Sequence, residues 1–506
     1  MRIAVRLDRS RLLRWHLALI EALQQNGHAV AAEFRPRTDR LPASLVAILE
    51  LDAIRGGSHE HRLSGRVTPT SIAERAPDLD GVQDLTIDLS TSAVVEDLPG
   101  RVLCPLYDGS AADEALFHAL LRGRAPLLSA VDTYNGGTWT IGLPALEQPT
   151  RFTLSLDHVA SRLVEGLVRI VADIAGGQHA AVAASDRNTS APQGSLLAST
   201  IRHGVQRSTA KLGRIRDRTF GDRPRWRVAW RHVDAGRLPA SEDLRLSDFR
   251  VLEDDGRRFY ADPFVVMRDG IRHVFVEELP SDTGIGIISH FTISASEEAT
   301  KPTPILQTGS HLSYPLVFEH EGETWMMPES SAAGGLDLYR CRRFPDDWTL
   351  ETRLLEGRFH DATLFAHDGR LWIAAATEAF QSSSWDALSL FYADALKGPW
   401  TAHAQNPVLV DARFARPAGP LWRAGVDLFR PAQECSGGYG SKLSIRKILR
   451  LTPTDFSEET AGTIAFGDRS RVLGPHTICR GGDLELIDLY GRDSEIACTQ
   501  RKRGVR

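Results

Sequence analysis

Two aspartates in the second half of the chain stand at matching positions before a hairpin turn. Asp262 lies in YADPF and Asp361 in HDATLF, and each precedes the glycine of an Asp-Gly pair by eight residues. Two carboxyl groups facing one pocket can divide the acid and base roles of glycosyl transfer when their surroundings set their pKa values apart. We therefore take Asp262 and Asp361 as candidate catalytic residues. The alternative for Asp262 is a turn or capping carboxylate, because Asp-Pro starts many loops.

Other polar and aromatic residues fall near the same ends of the predicted strands. The further candidate carboxylates, on second strands of the hairpins, are Glu277, Glu329 and Glu434, of which Glu329 and Glu434 are the candidates for a catalytic acid. The candidate substrate-binding residues are Tyr314, His360, Arg416, Gln433, Tyr439 and His476. Three tryptophans, Trp325, Trp372 and Trp422, are candidates to stack on sugar faces. For Trp325 and Trp372, which lie mid-strand, the interior of the fold is the favoured alternative.

A weak repeat organises this half of the chain. Five segments share a short apolar strand, a tight glycine turn and a second apolar strand; they cover 262–278, 314–330, 361–377, 417–433 and 474–490. Their turn glycines are Gly270, Gly322, Gly369, Gly425 and Gly482. A tight hairpin needs positive φ, which glycine tolerates. The repeat predicts the inner hairpins of a five-bladed β-propeller over residues 226–506. The alternative is a set of unrelated hairpins in a β-sandwich.

In a propeller, the innermost strands begin at one mouth of the central channel. The five residues that lie eight positions before the turn glycines are Asp262, Tyr314, Asp361, Pro417 and Gly474. The repeat therefore places the carboxylates of the first and third blades at the same pocket.

The first part of the chain has a different pattern. A strand over 2–7, a helix over 11–25 and a strand over 28–34 form a β-α-β opening, which predicts a parallel sheet. The other predicted elements are strands over 84–89, 101–106 and 125–131 and helices over 111–121 and 156–175. The fold prediction is thus an α/β domain over 1–178, followed by the all-β propeller.

Residues 179–225 change in composition and are interpreted as a linker. The first half is small and polar, and residues 202–231 hold ten Lys/Arg against two Asp. Such a basic run suits either a solvated interdomain segment or a peripheral contact with an anionic surface such as a lipid headgroup or a sugar phosphate.

Composition limits the classes of function. The 506 residues carry a net charge of −5, which does not indicate a nucleic-acid partner. The five cysteines include no CxxC pair, so no zinc site or disulfide framework is predicted and a reducing compartment is favoured. With no signal-peptide pattern and no long apolar run, the prediction is a cytoplasmic protein. There is no GxGxxG or P-loop motif, and no cofactor is predicted.

The propeller resembles two groups of carbohydrate-directed proteins. YADPFVV is similar to the first blade of the arabinanase/xylosidase-type glycosidases. That resemblance implies a general base at Asp262 and an orienting aspartate at Asp361. The clan's general-acid glutamate opens the fourth blade, where this chain has RPAG at 416–419.

A closer resemblance is to the N-terminal domain of plant glucosamine inositolphosphorylceramide transferases. The motifs that carry it are ADPF, SYP, PES, HDATLF, RPAG, RPAQECSGGYG and GPHT, between 261 and 477. The first part of the chain resembles a formyltransferase-type domain more weakly. It lacks that family's Asn-His-Asp set and SLLP loop, with RVLCPLYDG at 101–109 instead, so an inactive domain is implied.

Three functions follow as hypotheses. The first is an enzyme that acts on a glycosidic bond in the propeller channel. The second is a non-catalytic glycan-binding or scaffolding module that assists a separate glycosyltransferase, which the missing fourth-blade glutamate favours. The third is binding of a nucleotide or sugar nucleotide by the α/β domain.

Overall fold

The computed structural model describes residues 1–35, 45–50, 62–90, 100–180, 195–220, 223–234, 241–467 and 472–496. The chain divides into two compact units. The first comprises Met1–Arg214 with Ala379–Ser383, and the second comprises Ile215–Glu378 with Ser384–Arg506. Each unit has its own sheets and its own hydrophobic core.

A six-stranded sheet forms the centre of the first unit. Its strands are β1 (Arg2–Asp8), β2 (Ala29–Arg35), β3 (Leu85–Leu89), β4 (Val102–Tyr107), β5 (Leu128–Asp132) and β6 (Thr138–Gly142), in the order β2-β1-β3-β4-β5-β6. The first four strands are parallel to one another, whereas β5 and β6 run antiparallel. The predicted parallel sheet is therefore confirmed for β1 to β4 and wrong for β5, and β6 was not predicted. A hairpin through the Asn-Gly-Gly turn at 135–137, which was not anticipated, joins β5 to β6.

Helices accompany this sheet in the described part of the unit. They include α1 (Arg14–Gln25), α2 (Pro69–Arg75), α3 (Asp113–Leu121) and α4 (Phe152–Ala175). Apolar residues at helical spacing, such as Leu19, Ile20 and Leu23 of α1, are fully buried in the core of the unit. The strands and helices predicted for 1–178 are present, with ends shifted by a few residues.

The segment interpreted as a linker contains a long helix, α5 (Leu196–Phe220). Residues 181–194 lie outside the described residues. Among the helices that the structure describes, none is long and apolar enough to cross a membrane.

The second unit is a five-bladed β-propeller, as the repeat predicted. The first blade consists of β10 (Arg258–Arg268), β11 (Ile271–Pro280), β12 (Ile287–Ile293) and β13 (Thr303–Leu306). The second consists of β14 (Ser313–His320), β15 (Glu323–Glu329), β16 (Gly335–Arg343) and β17 (Asp347–Glu356). The third consists of β18 (Phe359–His367), β19 (Arg370–Thr377), β20 (Ala387–Ala393), β21 (Thr401–Ala402) and β22 (Leu409–Val410).

The chain closes the ring by pairing its start with its end. The fourth blade consists of β23 (Trp422–Ala424), β24 (Asp427–Glu434), β25 (Lys442–Leu451) and β26 (Phe456–Phe466), with β8 (Glu242–Leu244) at its edge. The fifth consists of β27 (Ile478–Gly481), β28 (Leu484–Gly491), β7 (Arg225–His232) and β9 (Arg250–Val251). Because β7 pairs with β28, the first strand of the propeller completes its last blade.

The five turn glycines have the backbone geometry that a tight hairpin requires. Their φ angles are 73° for Gly270, 77° for Gly322, 74° for Gly369, 60° for Gly425 and 64° for Gly482. This is the left-handed region that favours glycine. The inner hairpin of every blade thus turns at the predicted residue.

The tryptophans considered for sugar stacking divide between two environments. Trp325 and Trp372 are buried, and their indole N–H groups donate to the carbonyls of His320 and His367. They belong to the hydrophobic core, as the mid-strand alternative proposed. Trp422 is half-buried, with the guanidinium of Arg480 5.8 Å from its ring centre.

Candidate functional site

The innermost strands of the first three blades begin with the same strained backbone feature. Asp262, Tyr314 and Asp361 have φ angles of 50°, 45° and 50°. At each of these points the pairing register with the neighbouring strand shifts, as in a β-bulge. A non-glycine residue in this region costs on the order of 1–3 kcal/mol, so its surroundings must hold it in place. We call this end of the propeller, defined by Asp262, Tyr314 and Asp361, the channel mouth.

Carboxylates of neighbouring blades hold the three bulges. The N–H of Asp262 donates to Oδ2 of Asp488 at 3.2 Å, which joins the fifth blade to the first. The N–H of Tyr314 donates to Oδ2 of Asp262 at 3.2 Å, and the N–H of Asp361 donates to Oε2 of Glu329 at 3.1 Å. In each case the acceptor belongs to the preceding blade of the ring. Asp262 and Glu329 therefore have a structural role whatever else they do.

The surroundings of Asp262 favour its ionised form. Its Oδ1 accepts a hydrogen bond from the hydroxyl of Thr477 at 2.6 Å and lies 3.1 Å from Nε2 of His476. Burial opposes ionisation. The charge of His476 and the hydrogen bonds from His476 and Thr477 outweigh it and lower the pKa of Asp262.

His476 lies between two carboxylates. Besides its contact with Asp262, its Nδ1 is 2.8 Å from Oδ2 of Asp488. The N–H groups of His476 and Thr477 both donate to Oδ1 of Asp488 at 2.9 Å. Burial works against a charged imidazole, but Asp488 and Asp262 raise the pKa of His476 to about 10. The histidine is an imidazolium at neutral pH.

Among the described residues, Asp262, His476 and Asp488 have the spacing of metal ligands. One ligand atom each from Asp262, His476 and Asp488 lies within 4.8 Å of the others. Both ring nitrogens of His476 face a carboxylate, which is the arrangement of an imidazolium held by two anions. A metal ion would have to displace a proton from this imidazole.

Asp361 has a different environment. Its Oδ2 accepts hydrogen bonds from Nε of Arg416 and from Nε2 of Gln433, both at 2.5 Å. Its Oδ1 has no hydrogen-bond partner among the described residues. Burial raises the pKa of Asp361 to about 7; the charges of Glu329 and Asp262 act in the same direction, and Arg416 opposes them.

Glu329 and His360 form a second buried ion pair beside Asp361. Nδ1 of His360 is 2.9 Å from Oε1 of Glu329, and Nε2 of His360 is 2.8 Å from Glu378. Although burial opposes it, the hydrogen bond and charge of His360 bring the pKa of Glu329 well below its usual range. Burial also opposes the charge on His360, yet the two glutamates raise its pKa to about 9. Glu329 is thus an ionised carboxylate and is poorly suited to be the acid.

Two more predicted carboxylates have partners of their own. Burial raises the pKa of Glu277, whose Oε1 is 3.2 Å from Nε2 of His311. Glu434 is half-buried; it accepts from the N–H of Ser436 at 2.9 Å and lies 3.7 Å from Nζ of Lys442. Consecutive strand residues point to opposite faces of a sheet, and in this strand Gln433 is the residue that reaches Asp361.

Three aromatic side chains lie against the charged residues of the channel mouth. The ring of Trp226 is 4.0 Å and that of Tyr439 5.2 Å from His476, and Trp385 is 5.3 Å from Tyr439. The guanidinium of Arg416 is 5.1 Å from the centre of the Tyr439 ring. Trp226, Trp385 and Tyr439, here called the aromatic cluster, are all half-buried. Of these, the sequence analysis pointed only to Tyr439, which lies in the motif RPAQECSGGYG; Trp226 and Trp385 lie outside both the repeat and the motifs.

Gly440 explains part of the Tyr-Gly motif. Its φ is 56°, and a Cβ at this position would lie 2.3 Å from Cβ of His476. The loop can therefore approach His476 closely only with glycine at 440, which places Tyr439 beside the imidazole.

Tyr314, which was predicted to bind substrate, packs in the interior of the propeller. It is fully buried, and its hydroxyl oxygen lies 2.8 Å from Oγ1 of Thr363 and accepts from the N–H of Gly419 at 2.5 Å. One side chain thus joins the second, third and fourth blades. The other predicted binding residues (His360, Arg416, Gln433, Tyr439 and His476) all lie around the carboxylates described above.

Fold and site together define a five-bladed β-propeller with paired carboxylates, imidazolium groups and a guanidinium at one mouth. Residues 252–471 match the family described as "Glucosamine inositolphosphorylceramide transferase 1, N-terminal". The resemblance of the propeller to this domain family is confirmed.

Individual relatives carry the same name. Glucosamine inositolphosphorylceramide transferase 1 of Oryza sativa subsp. japonica is 35% identical over 206 residues, and that of Arabidopsis thaliana is 31% identical over 204 residues. Each match covers 40% of this chain and 27% of the relative, so the chain spans about a quarter of the length of the curated relatives it matches.

Solved glycoside hydrolases show a more distant likeness. Zg3597, a family 117 glycoside hydrolase of Zobellia galactanivorans, has a TM-score of 0.34 at 11% identity over 52% of this chain and 89% of its own. A thermostable family-43 glycoside hydrolase has a TM-score of 0.32 at 11% identity, over 40% of this chain and 76% of its own.

Proposed function

We propose that the propeller binds a glycan or glycoconjugate at the channel mouth and acts there on a glycosidic bond. The observation that carries the proposal is the pair Asp262 and Asp361. They occupy equivalent strained positions in two blades, and their pKa values are displaced in opposite directions. Such a divergence is what assigns acid and base roles in a carboxylate pair.

Each aspartate then has a role that suits its surroundings. Asp262, held ionised by His476 and Thr477, is the base or the nucleophile. Asp361 has a pKa of about 7 and one oxygen without a protein partner, so it can carry a proton and give it to the leaving oxygen. Arg416 occupies the start of the fourth blade, where the glycosidases have their acid, which leaves the acid role to Asp361.

The aromatic cluster is the proposed sugar-binding surface. Trp226, Trp385 and Tyr439 present half-exposed rings beside the charged residues, and aromatic faces pack well against the C–H faces of sugars. The relatives bear the name glucosamine inositolphosphorylceramide transferase 1. We infer from this a substrate class of amino-sugar or inositol-phosphate glycoconjugates.

The proposal can be tested by measuring binding of, and sugar release from, a panel of such glycoconjugates. Asp361→Asn should bind a substrate but release sugar at least about a hundredfold more slowly, since general acid catalysis contributes about 10²–10⁴-fold. Asp427→Asn is the matched control, because that carboxylate pairs with Lys447 at the turn end of the fourth blade. Equal rates for Asp361→Asn and the wild type would refute the acid role.

A second candidate function is glycan binding without chemistry, in the service of a separate glycosyltransferase. The observation that favours it is the use of Asp262, Glu329 and Asp488 as acceptors for the bulge N–H groups. Carboxylates with this structural duty would be required even in a propeller that only binds. Binding of a glycoconjugate with no release or transfer of sugar by the wild-type chain would select this function.

For the first unit we infer that formyl transfer is absent. At the place of the SLLP loop of formyltransferases, this chain has RVLCPLY, of which VLCPLY forms strand β4. A formyl-transfer assay with the full chain tests this, and measurable turnover would contradict it.

A further inference from the structure

Helix α5 has a buried polar face and an exposed apolar face, the reverse of an ordinary surface helix. Ser199 and His203 are buried in the first unit, where Oγ of Ser199 lies 3.1 Å from Nδ1 of His118 and the ring of His203 meets Phe152 edge-on. Four of the exposed side chains are large and apolar: Leu197 is 58% exposed, Ile201 61%, Val205 57% and Leu212 65%.

These four residues lie along one side of the helix, on which the exposed Ser208 separates Val205 from Leu212. At about 100° of rotation per residue, positions 197, 201, 205 and 212 fall within an arc of about 80°. Single exposed apolar residues are ordinary on protein surfaces, whereas a contiguous apolar patch marks a surface that meets a partner. We call these residues the apolar stripe of α5.

Basic residues flank the apolar stripe on both sides. Arg202 and Lys211 are exposed, and neither has an ion-pair partner among the described residues. By helical rotation Arg202 lies about 60° beyond one edge of the stripe and Lys211 about 40° beyond the other. The sequence of α5 holds six Lys/Arg and one acidic residue, in a chain whose net charge is −5.

We propose that α5 lies on an anionic lipid bilayer, with the apolar stripe at the boundary between headgroups and acyl chains. Arg202 and Lys211 then meet the lipid phosphates. An apolar stripe with basic residues along both edges is the pattern of helices that lie in the membrane interface. The charge complementarity selects an anionic surface, because each basic residue near such a surface strengthens binding about fivefold. The proposal does not depend on the function of the channel mouth.

Sedimentation of the full chain with vesicles tests the proposal. The wild type should bind vesicles of equal parts phosphatidylcholine and phosphatidylserine, and not phosphatidylcholine alone. Arg202→Gln with Lys211→Gln should weaken binding about 25-fold, from the loss of two charges. Ile201→Ser with Val205→Ser should abolish it. Val426→Ser is the matched control, because Val426 is an exposed apolar residue (92%) on the turn of the fourth blade; its binding should equal that of the wild type.

Two results would overturn the proposal. One is wild-type binding that does not differ between the two vesicle types. The other is unchanged binding by Ile201→Ser with Val205→Ser, provided that circular dichroism shows the native helix content. The alternative is that a second copy of the chain covers the apolar stripe, which sedimentation velocity without lipid tests. Self-association of the wild type that is lost in Ile201→Ser with Val205→Ser would support this alternative and contradict the lipid proposal.

Discussion

Nε2 of His476 lies 3.1 Å from Oδ1 of Asp262, so that a charged pair is buried where the fifth blade meets the first. The two residues are far apart in the sequence and meet because the ring of blades is closed. Breaking a buried pair by removing one partner typically costs about 3–5 kcal/mol, since the remaining charge is left uncompensated.

His476→Gln should therefore lower the free energy of unfolding of the propeller by about 3–5 kcal/mol. Urea unfolding followed by tryptophan fluorescence measures this loss. The double variant His476→Gln with Asp488→Asn should lose less than the sum of the two single variants, because it removes both an anion and its counter-ion. A loss below about 1 kcal/mol for His476→Gln would contradict a charged His476.

The propeller should become less stable as the pH rises from about 7 to about 10. The pKa of His476 is raised to about 10 and that of His360 to about 9, against 6.5 for a histidine side chain in water. When a histidine has a higher pKa in the folded protein than in the unfolded protein, its charge stabilises the folded state. This stabilisation is complete below the pKa of the unfolded protein and is lost as the pH rises through the pKa of the folded protein. Urea unfolding at several pH values should show a smaller slope in this window for His476→Gln and for His360→Gln. A wild-type stability that is constant over the window would exclude both imidazolium groups.

Tyr314→Phe should cost about 1–3 kcal/mol of stability. The hydroxyl accepts the N–H of Gly419 and contacts Thr363, so its removal leaves buried polar groups without a partner. Tyr260→Phe is the matched control, because the Tyr260 hydroxyl has no hydrogen-bond partner among the described residues. Its stability should change by less than about 0.5 kcal/mol. Equal losses of stability in the two variants would contradict the role of the Tyr314 hydroxyl in linking the blades.

Trp385→Ala should weaken glycan binding about fivefold or more, because stacking on an aromatic ring contributes of the order of 1 kcal/mol or more. Trp422→Ala is the control. That ring is also half-buried, but it lies three residues before the turn Gly425, near the turn end of the inner hairpin of the fourth blade. Binding titrations with one glycoconjugate compare the two variants. A larger loss for Trp422→Ala than for Trp385→Ala would move the sugar-binding surface away from the aromatic cluster.

The fold of the second unit could be predicted because its signal is local. A tight turn needs positive φ, and five glycines in register adopt it, as the structure confirms. The same alignment brought Asp262 and Asp361 to equivalent positions. Their strained φ angles result from the bulges, and the residue types at these positions do not predict a bulge.

The partners of these aspartates could not be predicted in the same way. Asp488 and Thr477 reach Asp262 across the closure of the ring, and no spacing along the chain encodes that contact. Trp226 reaches the channel mouth because the first strand of the propeller completes its last blade. Arg416 and Gln433 were predicted to bind substrate from their places near the ends of the predicted strands, and the structure places both on Oδ2 of Asp361.

The central claim is that Asp262 serves chemistry on a glycan bound at the channel mouth. The most direct measurement is sugar release from a glycoconjugate that the wild type binds, compared between the wild type and Asp262→Asn, with binding affinity and urea unfolding measured for both. We predict unchanged affinity within about threefold, a folded variant, and release slowed by at least about a hundredfold. Release by a folded Asp262→Asn at the wild-type rate would contradict the claim.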